Sequence, residues 1–371
     1  MIAVKPQSLC DVVEINDWVS FNALEREWNA LVNRTDDEPF YRQEFFRAWI
    51  ESFSSKAKLK ILTQRTREGR LTAILPLVEE RGAICWIPAR QLISPSNDYS
   101  SRFDLIAENA GEAGRIFFSY LATHNSWDVL LFRHVPDEGK AWQLYRAAQA
   151  AGFPTASWEA QQSPYIALPV TFDELFNSLS SKFRNNLRRY RKRFESKGRV
   201  STEHLTQGEA LQQVLAECYE IEMRGWKGKN GTALLHNQQV YGFYHELAQY
   251  ASSRGYLSLY LLKLNGRIVA FSYGLICRNS YYLILNSYDE SFKDCAPGHL
   301  LLEEVAKYCI SQGLTRLDFL GCALEWKLAW SALVRTHSWL FIFGNNFFGQ
   351  ALYQTKFKII PTIKRIIGHW Q

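Results

Sequence analysis

No stretch of this 371-residue sequence stays apolar for anything near the ~20 residues of a bilayer-spanning helix. A helical membrane span is therefore not expected. Residues 1–17 carry Lys5, Asp11, Glu14 and Asp17 and lack an uninterrupted apolar core, so no secretory leader is expected there either. The seven cysteines show no paired spacing and have no His-rich companion segment. That argues for reduced cytosolic thiols and against disulfides or a zinc site. What is present is an apolar fraction of 47%, an aromatic fraction of 14% with 12 Trp, and a net charge of +6. The length suits two domains or one large fused one. The aromatic load favours deep clefts or an amphipathic surface.

Read in order, residues 17–32 place Trp18, Phe21, Leu24, Trp28 and Leu31 at helical spacing. A second helix follows Pro39. Strands are expected over 59–64 and 71–79, joined by a turn at Gly69, and a turn-rich loop runs from Ser94 to Ser101. A strand near 103–106, a helix near 112–123, a strand over 127–132 and a helix over 141–151 complete the first half. The second half repeats this order. Gly69-Arg70-Leu71-Thr72-Ala73-Ile74 is echoed by Gly266-Arg267-Ile268-Val269-Ala270-Phe271, and the 127–130 strand by 316–319. Asn265-Gly266 is a hairpin signal. The pattern reads as two copies of one α/β unit.

The stretch 281–327 carries the chemistry. An aromatic and β-branched run ends at Tyr288-Asp289-Glu290. A polar loop leads to Ala296-Pro297-Gly298-His299, and apolar residues then fall at helical spacing up to Gly313. A second strand ends at Asp318-Phe319-Leu320-Gly321, followed by Glu325, Trp326 and Lys327. A strand, a Gly-containing turn and a helix start make an anion site, because free N–H groups and the helix dipole converge there. Lys293, Ala296 and Gly298 have the spacing of the pyrophosphate loop of GNAT acyltransferases.

Together, Tyr288-Asp289-Glu290, Pro297-Gly298-His299-Leu300-Leu301, Asp318-Phe319-Leu320-Gly321 and Trp326-Lys327 resemble the CelD-like (cellulose-biosynthesis) branch of the GNAT acyltransferases, relatives of the Fem peptidyltransferases. Cys322 replaces a usual Gly, and Trp326 a usual Tyr. The resemblance implies tandem GNAT-like domains, each a mixed sheet flanked by helices. Residues 1–168 would be a degenerate copy shaping the acceptor cleft, and 169–371 the copy with the acyl-CoA site at Lys293, Ala296, Pro297, Gly298 and His299. Cys295, in the same loop, reads as a bystander thiol.

Between the copies, residues 181–199 hold nine Lys or Arg and one Glu, a local charge of +8. Phe183, Leu187, Tyr190 and Phe194 form an apolar stripe on this helix. Its basic faces are open to three readings: solvated surface, a site for an anionic acceptor or CoA phosphates, or nucleic acid. The family's basic helix favours the acceptor, and the aromatic residues are not interleaved with the basic ones as a base-stacking platform needs. Expected acceptor contacts are Arg184, Arg188, Arg191, Arg224, Trp226, Trp326 and, from the turn-rich loop, Asp98. Near the C-terminus, Phe357, Ile360, Ile363 and Ile367 make either a membrane-surface helix or one docked on its own domain.

Amine attack on a thioester builds charge on the carbonyl oxygen and requires the amine to lose a proton. Asp289 is the first candidate base and Glu325 the second. Lys327 reads as an oxyanion or phosphate partner, with Tyr288 beside them. The sequence thus reads as a cytoplasmic N-acyltransferase, with possible peripheral contact on the inner membrane face. It uses acyl-CoA without a metal and acts on an amine-bearing sugar or lipid-linked glycan precursor. The alternatives are transfer from aminoacyl-tRNA, as in the Fem enzymes, and a non-catalytic membrane-associated scaffold.

Overall fold

Aromatic and β-branched runs broken by glycine turns dictate strands, and amphipathic stretches between them dictate covering helices. The computed structural model describes residues 12–368 except Asp37 and Asn125, and leaves aside the side chains of Trp226, Lys364 and residues 366–368. Thirteen strands form among the described residues. They are β1 (Val12–Ile15), β2 (Lys58–Arg65), β3 (Leu71–Ile84), β4 (Ile87–Ile93), β5 (Ile106–Ala107), β6 (Val129–Pro136), β7 (Thr155–Ala167), β8 (Val200–Leu205), β9 (Leu257–Leu264), β10 (Arg267–Cys277), β11 (Ser280–Tyr288), β12 (Arg316–Asp318) and β13 (Val334–Phe343).

The chain divides into two compact α/β units. One comprises Met1–Ile50, Ser54–Gln161 and Thr336–Gln371, and the other Glu51–Phe53 and Gln162–Arg335. The sequence reading placed residues 336–371 in the second half. They return to the first unit because β13 pairs with β6, Leu340 opposite Phe132.

The first unit's strands run β1-β2-β3-β4-β6-β13, with β4 and β6 parallel and the rest antiparallel. The helices Ala110–Thr123 and Ala141–Ala150 cover one face through Phe117, Leu121, Leu144 and Ala148. The second unit's strands run from the end of β7 through β12-β11-β10-β9 to β8, and here β11 and β12 are the parallel pair. Asn265 (φ 52°) and Gly266 (φ 84°) turn β9 into β10, the two positive φ values that an Asn-Gly hairpin supplies. Helix Pro297–Ser311 carries the chain from β11 to β12, the long crossover that parallel pairing requires. Against it packs the basic helix Ser181–Glu195, with Leu187 and Phe194 fully in the core. Both units therefore show a hairpin, a third strand, a crossover helix and a parallel fourth strand, the repeated α/β order legible in the sequence.

Local expectations shift. The 17–32 helix is two helices, Trp18–Ala23 and Glu25–Thr35, broken at Leu24, whose N–H bonds within a tight last turn. The strand near 103–106 shrinks to the two residues of β5, and β1, β4, β7, β8 and β13 are strands that the sequence reading did not assign.

Candidate functional site

The site begins where two parallel strands part. β12 pairs with β11 for three residues, ending at Tyr282 opposite Asp318. Beyond that point the N–H of Phe319 bonds to Pro164 of β7, while β11 stays with β10 as far as Tyr288 opposite Ala270. The β12-side edge of β11 from Leu283 to Tyr288 is thus released from its neighbour. A bulge in the same stretch sets Tyr273 opposite Leu285 and Gly274 opposite Leu283, so Ile284 has no β10 partner, a device that re-aims backbone groups beside a site. The first unit closes the equivalent gap. Ser94 donates its N–H to Leu131 O (3.0 Å), accepts the Arg133 N–H on Oγ (2.8 Å), and Ser96 Oγ bonds to Arg133 O (2.9 Å).

At the end of β11 the chain turns into the loop 289–296. Asp289 Oδ1 caps it, accepting from Ser291 N (3.0 Å) and Ser291 Oγ (2.7 Å), and Oδ2 pairs with Arg267 at 2.8 Å. Burial works against ionisation of Asp289. The Ser291 hydrogen bonds and the charges of Arg267 and Arg224 outweigh it and hold the carboxyl below its usual range. Ala296 is left-handed (φ 44°), an uncommon conformation for a residue with a Cβ, and Pro297 opens the helix. Gly298 faces Tyr288; a Cβ there would lie 3.5 Å from the Tyr288 ring. Lys293 is exposed beside this turn, and Cys295 is buried in the core.

Left-handed Leu320 (φ 50°) and Gly321 (φ 56°) form the opposite bank. The Leu320 N–H is held by Asp318 Oδ1 at 3.0 Å, which turns the Leu320 carbonyl toward Lys327; Lys327 Nζ donates to it at 2.6 Å. Lys327 is buried, and burial, abetted by the charge of Lys227, pulls its pKa down to about 8. Trp326 lies between Phe319 and His299, with ring centroids 5.6 and 6.4 Å away. His299 sits in an aromatic box with Phe183 and Trp330, and burial lowers its pKa to about 4.

The structure therefore brings Tyr288, Gly298 and His299 together with Trp326 and Lys327, and sets Arg224 within electrostatic reach of Asp289. It scatters the rest. Glu325 is exposed. Arg191 forms ion pairs with Glu303 (3.0 Å) and Glu304 (2.9 Å) on the crossover helix. Arg184 donates to Asn177 O and Arg188 lies over Phe176. Trp226 opens the short helix Trp226–Lys229, its side chain outside the described set. Asp98 belongs to the first unit, exposed, 3.5 Å from a buried His134 that is neutral at physiological pH.

Sequence reasoning missed the role of Glu222, a buried carboxylate that accepts from Lys227 Nζ (2.6 Å) and the Leu234 N–H (3.0 Å). It also missed Trp330. The signal was there in the spacing, since Trp326 and Trp330 stand one helical turn apart. Arg267 gave no signal, being 22 residues from the carboxylate it grips.

These diverging strands and the helix start facing them occupy a stretch that matches a known family. Residues 181–328 match the family model of the acetyltransferase (GNAT) domain. No curated protein sequence matches the chain. Among solved structures, FemX aligns over 93% of this chain and 99% of its own, with 12% identity and a TM-score of 0.62. A conserved protein of unknown function from Bacteroides thetaiotaomicron aligns over 90% of this chain and all of its own (13%, 0.56). The C-terminal domain (DUF2156) of a protein described as a putative lysylphosphatidylglycerol synthetase, from Agrobacterium fabrum, covers 90% of this chain and 95% of its own (10%, 0.53). At these identities the likeness is one of fold. The matched segment takes in the basic helix, the loop 289–296, both diverging strands and Lys327.

Proposed function

We propose that the chain is an N-acyltransferase in which the gap between β11 and β12 takes the pantetheine arm of an acyl-CoA. The loop from Lys293 to His299 takes its diphosphate, and an amine on a sugar or lipid-linked glycan precursor is the acceptor. The observation that carries this reading is the released edge of β11, which ends at a helix N-terminus. An extended amide-bearing chain finds free backbone partners along such an edge, and phosphates find N–H groups at its end. The open edge of the second unit and the stitched edge of the first favour one acyl-donor site per chain.

In this reading Lys327, on the far bank, supplies positive charge to the thioester carbonyl as the tetrahedral oxyanion develops. Its carbonyl anchor at Leu320 fixes the amine in place. Asp289, with both oxygens engaged and its basicity reduced, shapes the loop; the amine proton passes to solvent as the C–N bond forms, and the C–S bond breaks to release the coenzyme A thiolate. Tyr288 lines the phosphate turn, and Trp326 walls the slot beside Lys327.

Isothermal calorimetry with acetyl-CoA tests the reading. Binding to the intact chain, weakened at least tenfold by Gly298→Glu with the thermal melt unchanged, supports it. A folded Gly298→Glu protein with undiminished affinity sinks it. The fold shared with FemX along nearly the whole chain keeps aminoacyl-tRNA as the rival acyl donor. Salt-sensitive binding of aminoacyl-tRNA without acetyl-CoA binding would move the assignment there.

A further inference from the structure

The last part of the chain is unlike the rest in charge. Residues 336–371 contain four Lys or Arg (Lys356, Lys358, Lys364, Arg365) and no acidic residue. After β13 they form helix Phe347–Gln354, a wide turn Thr355–Ile359 and helix Ile360–Gly368. The inner side docks on the sheet of its own unit. Leu352 is buried, Tyr353 packs on Phe343, and Phe357 packs on Trp158 and Phe341. Phe357, expected on the outward stripe, is thus an anchor. Lys356 lies over the Trp158 and Phe341 rings, at 5.0 and 5.2 Å.

Among the described residues the outer side leaves large apolar side chains in water. Phe347 is 91% exposed, Ile359 51% and Ile363 48%. The tip of the β3–β4 hairpin lies near the turn Thr355–Ile359, with Cys85 close to Lys356, and the next residue, Trp86, is 89% exposed in a left-handed conformation (φ 68°). A large aromatic held in water at a strained position is costly for a surface with only solvent beside it.

We propose that this face of the first unit docks on an anionic lipid bilayer. The helix lies in the plane of the headgroups, with Phe347, Ile359, Ile363 and Trp86 entering the interface and Lys358 and Arg365 meeting the phosphates. The chemistry selects this partner over others. Apolar side chains beside basic ones with no acid among them are the composition of interfacial helices, and Trp prefers the headgroup level. Two of the four apolar side chains are isoleucines, which offer no stacking surface to bases, so the face is not the aromatic platform that single-stranded nucleic acid needs. Among the described residues no helix is long and apolar enough to cross a membrane.

Vesicle flotation of the full-length protein tests the proposal, comparing pure phosphatidylcholine with phosphatidylcholine containing phosphatidylglycerol. The expected result is flotation with the anionic vesicles, at least tenfold weaker with the neutral ones, and falling as salt is raised. Ile359→Ser with Ile363→Ser, and separately Trp86→Ser, should each cut anionic binding tenfold or more without moving the thermal melt. No flotation, or flotation that all the variants share, overturns the proposal. A concentration-dependent dimer in light scattering that the same substitutions abolish also overturns it, assigning the face to a second copy of the chain.

Discussion

The indole N–H of Trp330 donates to Nδ1 of His299 across 3.0 Å. Indole nitrogen can only donate, so Nδ1 must present its lone pair and the imidazole proton must sit on Nε2. With its pKa lowered by burial to about 4, His299 is a neutral Nε2–H hydrogen-bond donor in the first turn of the crossover helix. Nitrogen-15 spectra should show the Nε2–H tautomer unchanged from pH 8 down to about 5. A ring titrating near its usual pKa, or protonated on Nδ1, would contradict this geometry. Because the folded pKa lies below the unfolded one, the stabilising contribution is complete above about pH 6.5 and is lost as pH falls through about 4.

Lys327 gives a prediction with a sign. Its pKa near 8 lies below that of an ordinary lysine, so the ammonium persists below pH 8 and is lost above it. If the charge polarises the carbonyl, single-turnover rate constants fall as pH rises through about 8, and Lys327→Arg, always charged, loses that limb. A rate constant that instead rises through 8 would make the neutral amine the base. Asp289→Asn should change kcat by less than ~10-fold, and cost ~1 kcal/mol of stability as a lost loop cap. A fall of ~10² or more would restore Asp289 as the general base.

Basic-helix residues should part into two groups. Arg191→Glu sets a third acid against Glu303 and Glu304 and should lower the melting temperature by several degrees, since it breaks a half-buried network. Arg188→Glu with Lys192→Glu alters exposed positions, and should leave the melt in place while raising the apparent KM for an anionic acceptor. Identical melts and unchanged KM across both sets would mean that the helix is a solvated face only.

Gly274 has no room for a side chain. A Cβ there would overlap the ring of Tyr281, which is fully buried and hydrogen-bonded through its hydroxyl to Ser272 at 2.9 Å. Gly274→Ala should destabilise the protein by ~1–3 kcal/mol or more in urea unfolding, the cost of overpacking a rigid site. A double variant with Tyr281→Phe would recover little, because the ring itself is the obstacle. An Ala variant as stable as the parent would show that the strands can shift apart.

Short-range signals in the sequence translated directly. Asn265-Gly266 gave its turn, and the stripe from Phe183 to Phe194 gave the inward face of the basic helix, because turn chemistry and helical period are properties of neighbouring residues. Pro297-Gly298 likewise gave the start of the crossover helix. What stayed hidden depends on partners far along the chain. Nothing near Asp289 announces that Arg267 will occupy its second oxygen, and nothing near Arg191 announces Glu303. The break at Leu24 was hidden for a different reason. Phe21, Leu24, Trp28 and Leu31 are all buried, so the period runs unbroken through a kink that leaves the face intact. β13 was not read as a strand at all, because its partner β6 lies far along the chain, in the first unit, with Phe343 opposite Val129.

The serine stitch between β4 and β6 bears on stoichiometry. Two units of like topology suggest two equivalents of acyl donor per chain, yet Ser94 and Ser96 occupy in the first unit the backbone groups that an incoming amide chain would need. A saturating titration should therefore level off at one equivalent, with a single-step isotherm and no cooperativity within a chain. On the proposed reading the duplication is one of architecture, and the capacity for turnover is that of a single copy.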